Sequence, residues 1–226
     1  MRKISRWLAA VLAVLMCLGL TACKQDFDAA GYTKAVLDAN YQEEYADYAK
    51  FRDLSEEEAK KEIEDNRARL AGNELAGIGE VSDETKSAYI ESLKTIEKLA
   101  RYEVKKAKKQ KDGSFIVEIG IKSSDIYLTL GQSSVEIQAG MPEEEKNNMS
   151  QDADAFARFM MQCIQKSVEG NTYGEETSVE VKITQDGEGA YGLESGAMNV
   201  LDNALFPQEE AAEEGGQTEE SQEAEE

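Results

Sequence analysis

The chain contains no histidine. That absence removes the commonest general base at neutral pH and the commonest zinc ligand, and it rules out a Ser-His-Asp or Cys-His catalytic apparatus. Basic residues are scarce: 25 Lys and Arg stand against 46 Asp and Glu, a formal net charge of −21. Such a balance excludes nucleic acid as a partner and argues against adhesion of the whole chain to anionic surfaces. Proline occurs twice, tryptophan once and cysteine three times. No S-x-x-K or G-x-S-x-G stretch is present, so the familiar serine nucleophile settings are missing too. Asp152 with Asp154, and Asp186 with Glu188, do not continue into a twelve-residue calcium loop. No metal and no cofactor is therefore expected. Long apolar runs are also lacking, with one exception near the start.

That exception runs from Trp7 to Leu20, 14 residues preceded by Arg2, Lys3 and Arg6. It is short of the roughly 20 residues a spanning helix needs, and it matches the apolar region of a secretory signal. The residues that follow, Leu20-Thr21-Ala22-Cys23, resemble the lipobox of bacterial lipoproteins. The resemblance implies that the Cys23 thiol receives a diacylglyceryl group, that residues 1–22 are cut away as a signal peptide, and that Cys23 becomes an acylated mature N-terminus. Fatty-acyl chains of the palmitate kind would then hold the chain in the lipid bilayer, two chains giving the stable anchoring that one does not. Cys17 would leave with the signal, so Cys163 would be the only free thiol and no intramolecular disulfide could form. Loss of Arg2, Lys3 and Arg6 would leave 22 basic residues against 46 acidic ones, a formal −24. Residues 23–26 form a very short tether, reaching roughly 10 Å when extended.

Residues 27–206 read as a single α+β domain. Phe27 to Phe51 shows helical spacing, with Leu37, Tyr41, Tyr45 and Tyr48 on one face. In "LSEEEAKKEI", Ser55 and Glu58 form a capping-box pair ahead of a thin stripe of Ala59, Ile63 and Leu70. Ser82 is the expected N-cap of a third helix lined by Tyr89, Leu93, Ile96 and Ala100. "YEVKKAKK" and "SFIVEIGI" flank a Lys-Asp-Gly turn and predict a hairpin, since Phe115, Val117, Ile119 and Ile121 alternate. "DIYLTL" and "VEIQ" are expected to add strands. A helix follows from near Ser150 to Val168, after a short turn at Pro142 and Glu143 to Glu145. "SVEVKIT" then turns at Asp186-Gly187 into "AYGL", and Met198, Leu201 and Leu205 make a last helix. The order predicts N-terminal helices followed by antiparallel β-hairpins, forming a curved sheet backed by helices. Residues 207–226 carry nine glutamates, no basic residue and no aromatic, the composition of a disordered acidic tail.

"FDAAGYTKAVLDANYQEEYADYAKF" and "NTYGEETSVEVKI" resemble a family of uncharacterised lipoproteins of Gram-positive anaerobes. The resemblance implies a domain of unknown function at the outer face of the cytoplasmic membrane, with a cystatin-like or NTF2-like sheet. It brings no activity and no catalytic residues.

Two surface features stand as candidate sites beside Cys23. Lys105, Lys106, Lys108, Lys109 and Lys111 form a basic cluster that either faces the envelope or blunts an exposed edge strand. Tyr41, Tyr45 and Tyr48 form either a stacking face for a ligand or partner, or the buried side of their helix. "GEGAYG" at residues 187–192 satisfies G-x-G-x-x-G in letters, but Asp186-Gly187 reads as a hairpin turn, so no nucleotide is expected. The resulting expectation is a membrane-anchored, non-catalytic binding module for an unknown protein or envelope polymer. The alternative is a carboxylate-dependent hydrolase of cell-wall glycans, which would need two carboxyls across a cleft, one of them with a raised pKa.

Overall fold

The computed structural model describes residues 27–208. Among them are eight α-helices and one four-stranded antiparallel sheet. The expected signal peptide, Cys23 with its tether, and all but the first two residues of the acidic tail lie outside the described residues.

Helix α1 (Ala29–Leu37) starts at Asp28, whose side chain accepts a hydrogen bond from the Gly31 N–H at 2.9 Å. The expected single helix to Phe51 is broken. A π-helical turn spans Asp38–Gln42, Glu43 takes the left-handed conformation at φ 58°, and the chain restarts as α2 (Ala46–Arg52). No glycine announces this break, because a glutamate adopts the conformation that glycine usually supplies. Helix α3 (Glu56–Ala76) carries the full capping box: Ser55 N–H donates to Glu58 Oε2 at 2.9 Å, and Ser55 Oγ accepts from Glu58 N–H at 3.2 Å. Its buried stripe is Ala59, Ile63, Arg67, Ala71 and Leu75, one residue per turn, whereas Leu70 is exposed. The stripe therefore runs through a charged residue that hydrophobic patterning passes over. Helix α4 (Asp83–Glu97) begins at Ser82, whose backbone and hydroxyl both donate to Asp154, tying α4 to a later helix.

Strands β1 (Arg101–Lys109) and β2 (Phe115–Ser124) form the expected hairpin, and β3 (Tyr173–Gln185) and β4 (Tyr191–Leu193) continue it in the order β1-β2-β3-β4. Phe115, Val117, Ile119 and Ile121 all face the core, with Val181 and Ile183 beside them on β3. The "GEGAYG" stretch supplies the β3–β4 turn, with Gly189 at φ 91°, and the first two residues of β4.

The expected strands at "DIYLTL" and "VEIQ" are instead one helix, α5 (Ile126–Gly140). It buries little besides Ile126 and Ser133, and it packs on α7 (Ala153–Gly170), where Ser133 Oγ and Ser167 Oγ share a buried hydrogen bond of 2.7 Å. That long-range contact overrides the strand preference of its β-branched and aromatic residues. The short helix α6 (Glu143–Met149) starts after Pro142. Helix α8 (Ala197–Leu205) closes the domain, with Leu201 and Leu205 fully buried against the sheet. One apolar core joins the helices to the inner face of the sheet. No helix among the described residues is long and apolar enough to cross a membrane.

Candidate functional site

A cleft of about 430 Å³ opens between the π turn, α3, α4, the start of α5 and α8. Its polar wall is built from residues far apart in sequence. Arg67 is 4% exposed and makes a two-pronged ion pair with Glu97, at 2.6 Å from Nη2 and 2.8 and 3.0 Å from Nε. Its Nη2 also donates to the Asn40 carbonyl at 3.3 Å. Burial pushes the Glu97 carboxyl above its ordinary range, and Arg67 pulls against that push without cancelling it. Arg67 Nη1 and the Tyr45 hydroxyl are the two buried side-chain polar atoms without a hydrogen-bond partner among the described residues.

Asp202 forms the opposite wall. Leu201 and Leu205 drive α8 into the core, and Asp202, next to Leu201, stays solvent-accessible on the cleft wall. Desolvation at the cleft wall raises its pKa, and it accepts a hydrogen bond from the Tyr41 hydroxyl. Tyr41 and Tyr127 both pack edge-on against Phe206, so the carboxyl sits within an aromatic frame. The charge of Glu74, Asp202 and Glu97 all reaches the Tyr127 phenol, which burial pushes up to about 12. Phenols donate to carboxylates elsewhere in the fold as well: Tyr89 to Glu74 at 2.8 Å, Tyr102 to Asp38 at 2.8 Å beside the Lys34 ion pair, and Tyr48 to Glu62 at 3.1 Å with Arg52 3.6 Å from the same carboxylate.

The tyrosine face expected from the sequence is the core side of its helices. Tyr41, Tyr45 and Tyr48 are only 4–6% exposed, so the three rings offer no common stacking platform. Their spacing on one face was produced by burial, and only Tyr41 reaches the cleft.

The basic cluster divides in two. Lys105 sits at a β-bulge and lies across Gly120 to reach Glu176 at 2.7 Å; a Cβ on Gly120 would come within 2.7 Å of the lysine. Lys106 pairs with Glu118 at 3.1 Å. Lys109 lies 5.8 Å from the centre of the Phe115 ring, and Lys108 and Lys111 stand at the exposed hairpin end. Cys163 is buried on α7, and burial pushes its thiol pKa up, which makes it a poor nucleophile.

Glu97, Asp202 and Arg67 were not singled out by sequence reasoning, because 46 carboxylates leave no way to select a pair. The signal that exists is local: Arg67 falls on the one-per-turn stripe of α3, and Asp202 lies between Leu201 and Leu205.

No protein-family model matches the chain. No curated protein matches it either. Among solved structures, the fold is similar to that of a protein from Bacillus subtilis subsp. subtilis str. 168 provisionally named a lipoprotein (ycdA). The TM-score is 0.53 at 16% sequence identity, over 80% of this chain and 56% of that one. The present chain therefore spans little more than half the length of the protein whose fold it shares. That likeness carries the mixed α+β architecture, and it lends no support to a specifically cystatin-like or NTF2-like sheet.

Proposed function

We propose that the chain is an extracytoplasmic lipoprotein, held at the outer face of the cytoplasmic membrane through acylated Cys23, whose domain is a non-catalytic binding module. The lipobox-like residues before Cys23 support the anchor, and the provisional lipoprotein name of the structural neighbour is in keeping with it. The observation that carries the binding reading is the cleft. It is mixed in character, with the amides of Asn199 and Asn203, the carboxyl of Asp202 and the apolar Leu70 and Met198 on its walls. Apolar surface with a few placed polar groups is what recognition sites share. The occupant is an envelope protein segment or polymer. Crosslinking in intact cells, read by mass spectrometry, tests this. A partner captured by the native chain and lost when Asn203→Trp fills the cleft supports the reading, and equal capture by both overturns it. For the anchor, Cys23→Ala should stop acylation and free the chain from the membrane fraction; a variant still membrane-bound with an unchanged mature N-terminus contradicts it.

A glycan hydrolase is the second reading, favoured by one observation: Glu97 and Asp202 share a cleft and both have raised pKa values. Against it, Glu97 is clasped by Arg67, which favours the carboxylate over the proton donor. Turnover of soluble wall fragments that disappears in Asp202→Asn would establish the enzyme.

A further inference from the structure

The two edges of the sheet are finished differently. β1 carries Lys105, Lys106, Lys108 and Lys109, and its ladder is interrupted by a bulge between Val104 and Lys106. Lysines and bulges keep an edge strand from pairing with foreign chains. β3 has neither lysine nor proline between Tyr173 and Glu180. Its outer neighbour β4 pairs only with Ile183, Thr184 and Gln185, and one further bond, from the Glu194 N–H to the Lys182 carbonyl at 2.8 Å, ends that ladder. In an antiparallel strand, alternate residues turn both backbone groups to the same side. Lys182 turns its carbonyl towards β4, and the register of β3 with β2 runs unbroken from Ile183 to Glu176. Glu180, Ser178 and Glu176 therefore offer their N–H and C=O groups beyond the end of β4, and no other described segment bonds to them.

We propose that this open edge of β3 receives an extended segment of a partner protein as a fifth strand, one with Lys or Arg on its solvent face and β-branched residues on the other. Strand addition draws affinity from main-chain hydrogen bonds and specificity from alternate side chains. The edge shows Glu176, Ser178 and Glu180 on the solvent face, and Thr177 with the half-buried Val179 on the opposite one. Glu175 and Glu180 have no ion pair among the described residues. Glu176 is held by Lys105 at 2.7 Å. The cations nearby do not reverse this balance: Lys182 lies between Asp112 and Glu194, at 3.9 and 3.6 Å, and Lys122 stands one strand further in, on β2. A cationic side chain opposite Glu180 therefore gains a cross-strand partner. A second copy of this chain fits poorly. Its β3 would set glutamates against glutamates, and its β1 is bulged, with Lys105 and Lys106 already drawn to Glu176 and Glu118. No residue lining the cleft belongs to the sheet, so this surface is separate from the cleft and goes beyond the function proposed for it.

Amide hydrogen exchange of the full chain in detergent, read residue by residue by NMR, tests the assignment. The probe is a blocked peptide alternating Lys and Val, and its control has Glu in place of Lys. In the chain alone, the Ser178 and Glu180 amides should exchange fast while the Val179 amide, bonded into β2, exchanges slowly. The lysine peptide should slow Ser178 and Glu180 about tenfold when it exceeds its dissociation constant by about that factor, and the glutamate peptide should leave them unchanged. Ser178→Pro removes an outward N–H and spares the β2 ladder, so it should abolish the slowing at Glu180. Glu180→Lys should weaken the lysine peptide at least about threefold, and it is the deciding variant if the proline chain does not fold. Ser178 and Glu180 amides as slow as Val179 in the chain alone would mean a closed edge and overturn the proposal. Equal slowing by both peptides, or undiminished binding to Glu180→Lys, overturns the cationic occupant. No slowing at either residue, or slowing confined to Asn199 and Asn203 in the cleft, overturns strand addition and leaves the cleft reading as it stands.

Discussion

The two ends of the sheet solve the same shortage of cations in different ways. At the end where the described chain begins, the packing is aromatic and nearly uncharged inside: Phe27, Tyr32, Phe51, Phe115 and Tyr191 meet ring to ring, and the lysines stay outside. At the other end, carboxylates line a cleft beside phenols and one buried arginine: Asp202 takes the Tyr41 hydroxyl, Glu97 takes Arg67 and Glu74 takes the Tyr89 hydroxyl, and Gln208, which also lines the cleft, leads into the acidic tail. Apolar contacts tolerate small shifts, whereas buried ionisable groups demand specific partners. The first end is thus held by apolar contact, the second by a few specific polar pairs.

This difference predicts unequal sensitivity to substitution. The largest effect is expected for Arg67→Ala, which leaves the half-buried Glu97 without its guanidinium and should lower unfolding free energy by about 3 kcal/mol in denaturant titration. Phe27→Ala removes a half-buried ring from four aromatic neighbours and should cost about 2 kcal/mol, less than a fully buried phenylalanine. If Phe27→Ala proved the more damaging, the cleft would not be the energetically demanding end. Ser55→Ala, which opens the capping box of the helix that carries Arg67, should cost about 1 kcal/mol.

The smallest effect has the most distinctive sign. Asp202 has a folded pKa above its unfolded one, because burial penalises its charge. The folded state therefore binds the proton more readily than the unfolded state. Between the ordinary carboxylate value of about 3.9 and the raised folded value, this group's contribution to stability falls as pH rises, and above the folded value the penalty is complete. Asp202→Asn removes the charge and keeps an acceptor for Tyr41. Its midpoint should exceed the native one at neutral pH, and the difference should vanish below the ordinary carboxylate range. A native chain more stable than Asp202→Asn at pH 7 would mean that the charge has a favourable partner in the fold.

The strands were legible because one face of each is buried: Phe115 to Ile121 alternates in the sequence as it does in the sheet. The capping box and the N-caps at Ser82 and Ser55 were legible for the same reason, being local. Helix α5 was not, since its residues favour strands and its helical state is stabilised by Ser133 meeting Ser167, 34 positions on. The break at Glu43 left no mark, as its left-handed backbone falls on a residue that seldom adopts it. The tyrosine spacing revealed a buried face without revealing what it is buried against. Tyr41 finds Asp202 161 residues away, and no periodicity carries that information. Arg67 contradicts the polar-outside pattern outright, which is why Leu70 took its place in the expected stripe.

The central claim is that the cleft, built around the buried Arg67, is the energetically demanding end of the domain. Denaturant titration of Arg67→Ala beside Phe27→Ala measures this directly. The account predicts a loss of about 3 kcal/mol for Arg67→Ala against about 2 kcal/mol for Phe27→Ala. Equal losses, or a larger one for Phe27→Ala, would contradict it.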